Sequence, residues 1–303
     1  MNRGTTLELN ALIRLRAAAR GLELGARRRV LSAQAGGYLS AYHGRGMEFD
    51  EVRAYQAGDD ARTIDWRVTA RRGRPHTKLF REERERPVMF LVDLHPGMYF
   101  GSRVQYKSVL AGSLCALLGW AAVRASDRVG GIVQAADNHQ EIHPAARDAG
   151  LLPMLRALVN LQPTAPGNIN IGRMDRSLTR LSRMVRPGSL VIIFSDFREF
   201  GDDAEKYLGT IAQHNDVMIA FLYDPLEATP PPAGFYRLGI NQRRLSLDTS
   251  RSSVNEQWQR QFQDHRTKIR TLCNRHAIHF MEIATTDALV PALRAGLTRR
   301  QRK

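Results

Sequence analysis

The sequence predicts an α/β protein: a mostly parallel sheet covered by helices, with a small β-rich unit ahead of it and a helix at the N-terminus. Three observations lead there. After Pro87, runs of Val, Ile, Phe and Leu recur that are apolar throughout, as strands buried on both faces are. Segments of helical period separate these runs, the alternation that builds βαβ units. The chain's 303 residues, 43% of them hydrophobic, are enough to fill a sizeable core.

The elements follow in order. Residues 5–24, "TTLELNALIRLRAAARGLEL", space Leu7, Ile13, Leu15 and Leu22 among alanines and arginines, which predicts an amphipathic helix that docks on the body or on a partner. From 46 to 86 the pattern shifts to "GMEFDEVRAY", "TIDWRVTAR" and "HTKLFREE", short β-like runs punctuated by Gly, Asp and Pro. The core strands are "PVMFLVD", "RVGGIVQAA", "SLVIIFSD", "DVMIAFLYD" and "IHFMEIA", with "NHQEIHP" as a hairpin partner of the second. Helices are expected at 104–125, 148–160, 172–186, 202–214, 254–276 and 287–299. Residues 225–250 interrupt the rhythm with a proline run and two alternating stretches that can pair as a hairpin at the sheet edge. The domains are therefore 1–45, a helix and linker; 46–86, the β-rich unit; and 87–303, the α/β domain.

Lys and Arg outnumber Asp and Glu by 45 to 30, a formal charge of +15. Such a surface favours acidic partners, nucleic acid or an anionic membrane, but no nucleic-acid module accompanies the arginine clusters. Cys115 and Cys273, far apart in apolar or helical stretches, imply no disulfide framework. Without an apolar N-terminal leader, and with no stretch read as a membrane span, a soluble cytoplasmic protein with at most peripheral membrane contact is expected.

Asp93 ends the first core strand and Asp196 the strand "VIIFSD". In open α/β sheets ligands gather at the carboxyl ends of strands where the order reverses. Two carboxylates there suit a hard divalent cation such as Mg²⁺, unless each merely caps the loop that follows. "GSRVQYKS" imitates a phosphate-binding loop but has Tyr106 where glycine is needed, so Lys107 is read as a helix-surface residue. Cys273, His276 and His279 straddle a helix end and a strand start and read as structural. No activated nucleophile is visible, so no catalytic residue is assigned. The densest constellation is "VRAYQAGDDARTIDWRVTAR", where Arg53, Asp59, Asp60, Arg62, Asp65 and Arg71 crowd around Tyr55 and Trp66. With "AGDD" as a turn, Arg–Asp pairs under Trp66 would form a structural lock or a recognition surface.

The stretch "GMEFDEVRAYQAGDDARTIDWRVTARRGRPHTKLFREERERPVMFLVDL" resembles the signature of the DUF58 family, proteins with a von Willebrand factor A-like domain usually encoded beside MoxR-type AAA+ ATPases. The resemblance implies a three-layer Rossmann-like domain from about 87 onward and a metal-ion-dependent adhesion site. In such a site an Asp-x-Ser-x-Ser loop, a Thr and a second Asp hold Mg²⁺ and leave one position for a partner's carboxylate. Here Asp93 and Asp196 match the aspartates, but the serine positions are His95 and Gly97, and the threonine position falls on Ile169 or an adjacent Asn. The site is degenerate, and any divalent ion would be held mainly by water.

The resemblance thus implies a non-enzymatic adaptor that docks a MoxR-type ATPase or its client. Its docking face would be formed by Asp93, His95 and Asp196, with the Arg53 to Arg71 cluster second. The alternatives are a basic-surface binder of nucleic acid or anionic membrane, and a metal-assisted hydrolase on Asp93, Asp196 and His95.

Overall fold

A computed structural model describes residues 4–24, 47–56, 61–82, 86–240 and 243–301. They belong to two compact units, residues 29–85 and residues 1–28 with 86–303.

In chain order the elements are α1 (Leu9–Ala18), β1 (Met47–Ala54), α2 (Trp66–Arg72), β2 (His76–Glu82), β3 (Pro87–Asp93), α3 (Lys107–Arg124), β4 (Arg128–Gln134) and β5 (His139–Ala146). They continue as α4 (Asp148–Leu161), α5 (Arg173–Met184), β6 (Leu190–Ser195), α6 (Ala204–His214), β7 (Asp216–Tyr223) and α7 (Pro225–Ala228). The last are β8 (Phe235–Ile240), β9 (Arg243–Asp248), α8 (Ser252–Arg275), β10 (His279–Ala284) and α9 (Leu289–Gln301).

In the smaller unit β1 and β2 pair antiparallel, with Met47 opposite Glu82, Ala54 opposite His76 and a bulge between Phe49 and Glu51. "TIDWRVTAR" forms α2 instead of the expected strand. Its two-residue alternation is overridden at both ends: the Asp65 carboxylate accepts the amides of Arg67 at 3.0 Å and Val68 at 3.1 Å, and Gly73 stops the helix in the left-handed conformation. Trp66, expected to lie as an aromatic lid over Arg–Asp pairs, is 70% exposed.

In the larger unit a six-stranded sheet has the order β10-β7-β6-β3-β4-β5, parallel throughout except for β5, which returns antiparallel on β4. Side chains alternate between two cores. Val88, Phe90, Val92, Ile192 and Phe194 face one containing residues of α1, α3, α4 and α9; Met89, Leu91, Val191, Ile193 and Phe221 face another containing residues of α5, α6 and α8. This is a helix–sheet–helix sandwich, a Rossmann-like α/β fold. Gly131 permits the close approach of β4 to β3: its φ is +149°, and a Cβ there would lie 2.0 Å from the Phe90 carbonyl oxygen.

The N-terminal helix docks on the body. Leu7, Leu12 and Leu22 are buried in the first core, the Trp120 indole donates to the Leu12 carbonyl at 3.0 Å, and the Arg124 guanidinium donates to the Ala19 and Leu22 carbonyls at 2.8 and 2.6 Å. It therefore belongs to the same unit as the sheet. The expectation of no span-like segment needs correction, because α3 is long and apolar enough by length and composition to cross a membrane. Of that helix 83% is buried inside the protein, as in the central helix of a sheet layer. β8 and β9 form the expected hairpin as a separate two-stranded sheet.

Candidate functional site

The chain goes from β3 to β4 on one side of the sheet and later returns to β6 on the other, so the strand order reverses between β3 and β6. Their carboxyl ends put Asp93 and Asp196 side by side, as expected from the sequence. The adjoining parallel strands extend the row: Asp224 follows β7 and Thr285 follows β10. All four residues are buried.

The His95 imidazole lies between the first two carboxylates. Its Nε2 is 2.9 Å from Asp196 Oδ1 and 4.0 Å from Asp93 Oδ2, and its Nδ1 is 3.7 Å from Glu199 Oε1. Gly97, which the adhesion-site pattern would replace with serine, serves the ring instead. A Cβ at 97 would lie 2.5 Å from His95 Cε1, and the Gly97 amide donates to Nδ1 at 3.1 Å. His95 and Gly97 are thus one substitution in physical terms: an imidazole and the room it needs.

Lys107 is the second unexpected occupant. Predicted as a surface residue, it is 1% exposed at the start of α3. Its ammonium donates to Asp196 Oδ2 at 2.5 Å and Glu227 Oε1 at 2.8 Å, and stands over the Phe100 ring, 5.9 Å from the centroid. A cation in the first turn of a helix opposes the macrodipole, so these carboxylates must offset that cost as well as desolvation. Arg198 closes the group, donating to Glu227 Oε1 at 2.9 Å with its Nε 3.8 Å from Asp196 Oδ2.

Every oxygen of the two predicted ligands already accepts a bond from the protein. Asp93 takes the His95 amide at 3.3 Å and the Ser195 hydroxyl at 2.7 Å. Asp196 takes His95 and the Arg198 amide on Oδ1, the latter at 3.1 Å, and Lys107 on Oδ2. Behind them Glu199 accepts the Asn170 amide at 2.8 Å and an Nη of Arg173 at 2.7 Å. Asp224 accepts the amide and hydroxyl of Ser102 and the hydroxyl of Thr285. At the expected threonine position, Ile169 or an adjacent Asn, Ile169 is exposed and has no side-chain oxygen, and the backbone amide of Asn170 goes to Glu199.

A magnesium ion needs near-octahedral oxygen ligands at about 2.1 Å, and this donor set does not fit one. Among the described residues no group of three or more His, Cys, Asp or Glu is arranged to hold a metal. The groups that face the two aspartates are His95, beside both, and Lys107, on Asp196. Asp93, His95 and Asp196, the residues expected at the docking face, are all three buried.

Burial raises the affinity of Asp93 and Glu199 for protons. Burial acts on Asp196 in the same sense, but Lys107 and His95 outweigh it and hold that carboxyl well below the usual range. Burial disfavours the charged His95 ring, yet the carboxylates of Asp196 and Asp93 prevail and push its pKa up to about 9. The Gly97 amide, however, needs a free lone pair on Nδ1, which fits a neutral ring carrying its proton on Nε2. Both hold if His95 and Asp93 share one proton: with Asp93 protonated the ring keeps the Gly97 bond, and with Asp93 ionised the ring is imidazolium. Either way that proton adds one positive charge to a group in which Asp93, Asp196, Glu199 and Glu227 face the fixed cations Lys107, Arg173 and Arg198.

Phe197, between Asp196 and Arg198, is buried with a left-handed backbone, φ +58°. The Ser195 hydroxyl fixes its amide at 2.8 Å. Such strain typically costs about 1–3 kcal/mol.

In the smaller unit Tyr55 is half-buried and Arg62 and Arg71 are exposed, while Arg53 donates to the Ala54 carbonyl at 3.0 Å. Asp59 and Asp60 lie outside the described residues. Cys273 is buried, His276 contacts Glu205 and His279 bonds the Gly296 carbonyl, so these three do not form a site. Sequence reading missed Lys107, Ser195, Glu199, Asp224 and Glu227. Asp224 was the accessible one, since "FLYD" repeats the strand-then-aspartate pattern of "FLVD" and "IFSD".

A family model described as "Protein of unknown function DUF58" matches residues 51–268, a range containing the Arg53 to Arg71 block and both site aspartates. Uncharacterized proteins of Mycobacterium tuberculosis (Rv1480) and Mycobacterium bovis (Mb1516) are each 28% identical over 222 residues, 73% of this chain and 69% of theirs. Among solved structures the chain is similar to the conserved hypothetical protein BatB from Bacteroides thetaiotaomicron, with a TM-score of 0.41 and 12% identity over 72% of this chain and 100% of that one. It is also similar to an aerotolerance-related membrane protein from Bacteroides fragilis, with a TM-score of 0.43 and 15% identity over 71% and 99% of the two chains. With the greater part of its length inside the family model, the chain is a member of the DUF58 family.

Proposed function

We propose that this protein is a non-enzymatic adaptor whose von Willebrand factor A-like domain docks a MoxR-type AAA+ ATPase, or the client that ATPase remodels, in the cytoplasm. One observation carries the reading: apolar side chains stand exposed on the loops around the closed charge cluster. Phe100 and Val104 lie on the loop after β3, Ile169 and Ile171 on the loop before α5, and Ile171 is 73% exposed. Apolar groups beside a polar floor whose carboxylates are engaged by protein groups suit a protein interface better than a small-molecule pocket. Asp93, His95 and Asp196 would shape this face from beneath. Trp66, Arg62 and Arg71 offer a second surface on the smaller unit.

The test is binding of the purified chain to a MoxR-type AAA+ ATPase from the same organism, by surface plasmon resonance with and without nucleotide. Ile171→Asp is expected to weaken binding at least tenfold without changing the melting temperature. Absence of association in every nucleotide state would overturn the reading.

A second reading, binding to nucleic acid or anionic membrane, draws support from the outward-facing Arg176 and Arg183 of α5. It predicts affinity that falls steeply with salt and is indifferent to Ile171. A hydrolase built on Asp93, Asp196 and His95 has no support, because all three are buried and engaged with protein groups.

A further inference from the structure

We infer that Lys107, together with His95, is a built-in counter-ion occupying the place that a divalent cation would need at these strand ends, so that this face works without a metal. The inference rests on the geometry of the cluster and stands whatever partner the face binds.

The Lys107 ammonium lies between Asp196 and Glu227, and the His95 ring between Asp196 and Asp93. The Lys107 ammonium and the His95 Nε2 thus stand where one ion would have to bridge the same carboxylates, and both are held by covalent chain. A tethered cation does not dissociate into solvent, and its local concentration exceeds that of any free ion in the cell. The departures from the adhesion-site pattern are consistent with one another. His95 needs Gly97 for space, and Lys107 needs a second carboxylate, supplied by Glu227, whose other oxygen accepts the Asp224 amide at 2.8 Å. The position is occupied by design of the sequence, and removal of the ammonium should open it.

Two arms test this on the full chain. For the native protein, the thermal midpoint and the electron paramagnetic resonance signal of free Mn²⁺ are measured with added Mn²⁺, Mg²⁺ or a chelator. Neither midpoint nor signal should change beyond error. In Lys107→Ala, Asp196 and Glu227 lose the buried ammonium and keep only the half-exposed Arg198 and, on Asp196, His95; the midpoint should fall, then recover with Mn²⁺, and one ion per chain should leave the free pool. An ion at tenfold its dissociation constant would raise the midpoint by about 3–6 °C. Lys107→Gln, closer in length but uncharged, serves if the alanine variant does not fold.

Stoichiometric Mn²⁺ binding by the native protein, lost in Asp196→Asn, would overturn the inference. So would a folded Lys107→Ala or Lys107→Gln protein that ignores Mn²⁺, because the ammonium would then not stand in an ion's place.

Discussion

Replacing Lys107 with methionine tests whether the buried cation holds the strand ends together. At an effective dielectric constant of about 20, its attraction to Asp196 at 2.5 Å and to Glu227 at 2.8 Å amounts to about 6–7 and about 6 kcal/mol. Desolvation of the ammonium removes several kcal/mol from that sum. Methionine keeps the apolar stem, so packing changes little, but the carboxylates lose their one fully buried fixed cation; breaking a buried pair this way costs about 3–5 kcal/mol. For a domain of this size the midpoint should fall by about 6–20 °C. Urea denaturation followed by circular dichroism at pH 7 and pH 4.5 measures the loss. In the native protein Asp196 titrates well below the ordinary range, so its stabilising share is present above pH ~4 and is lost only at lower pH. In the variant that carboxyl rises and takes up a proton, so the penalty should be smaller at pH 4.5 than at pH 7. Adding Asp196→Asn should return part of the loss, since the unpaired charge disappears. A loss below about 1 kcal/mol at pH 7 would refute the reasoning, because that is the behaviour of an exposed lysine.

Other outcomes follow from the same geometry. The His95 pKa, raised to about 9, stabilises the fold fully below pH ~6.5, and that contribution, up to about 3 kcal/mol, is lost as pH rises through 9; the urea midpoint should decline over this window, and His95→Gln should flatten the decline. Phe197→Ala should cost about 3–5 kcal/mol in chemical denaturation. Phe197→Gly should be no less stable than the alanine variant, because glycine relieves the left-handed backbone. Cys115 and Cys273 are buried, which pushes both thiols up; neither should react with a disulfide reagent in the native protein, and both should react once it is unfolded.

Most of the sheet was legible because its strands are buried on both faces and read as apolar runs, as in "VMFLV" and "LVIIF". The aspartates were legible because they end those runs. The smaller unit misled where local chemistry competes with periodicity: "IDWRV" alternates like a strand, and only the Asp65 cap and Gly73 make it a helix. Lys107 was misread for a different reason. Its burial depends on Asp196 and Glu227, 89 and 120 residues away, and no window around "QYKS" carries that information. Glu199 and Arg173 are likewise paired across 26 residues between separate elements.

The docking of α1 bears on where the chain can be cut. The family match spans 51–268 and so omits α1, β10 and α9. Yet Leu7, Leu12, Leu22, Met281, Ile283, Leu293 and Leu297 share one core with α3. A fragment trimmed to the matched boundaries would strip the cover from the most apolar helix in the protein and bare β7 as a raw sheet margin, two invitations to self-association. Expression from ahead of Leu7 through Leu297 should give monodisperse material where the shorter piece precipitates.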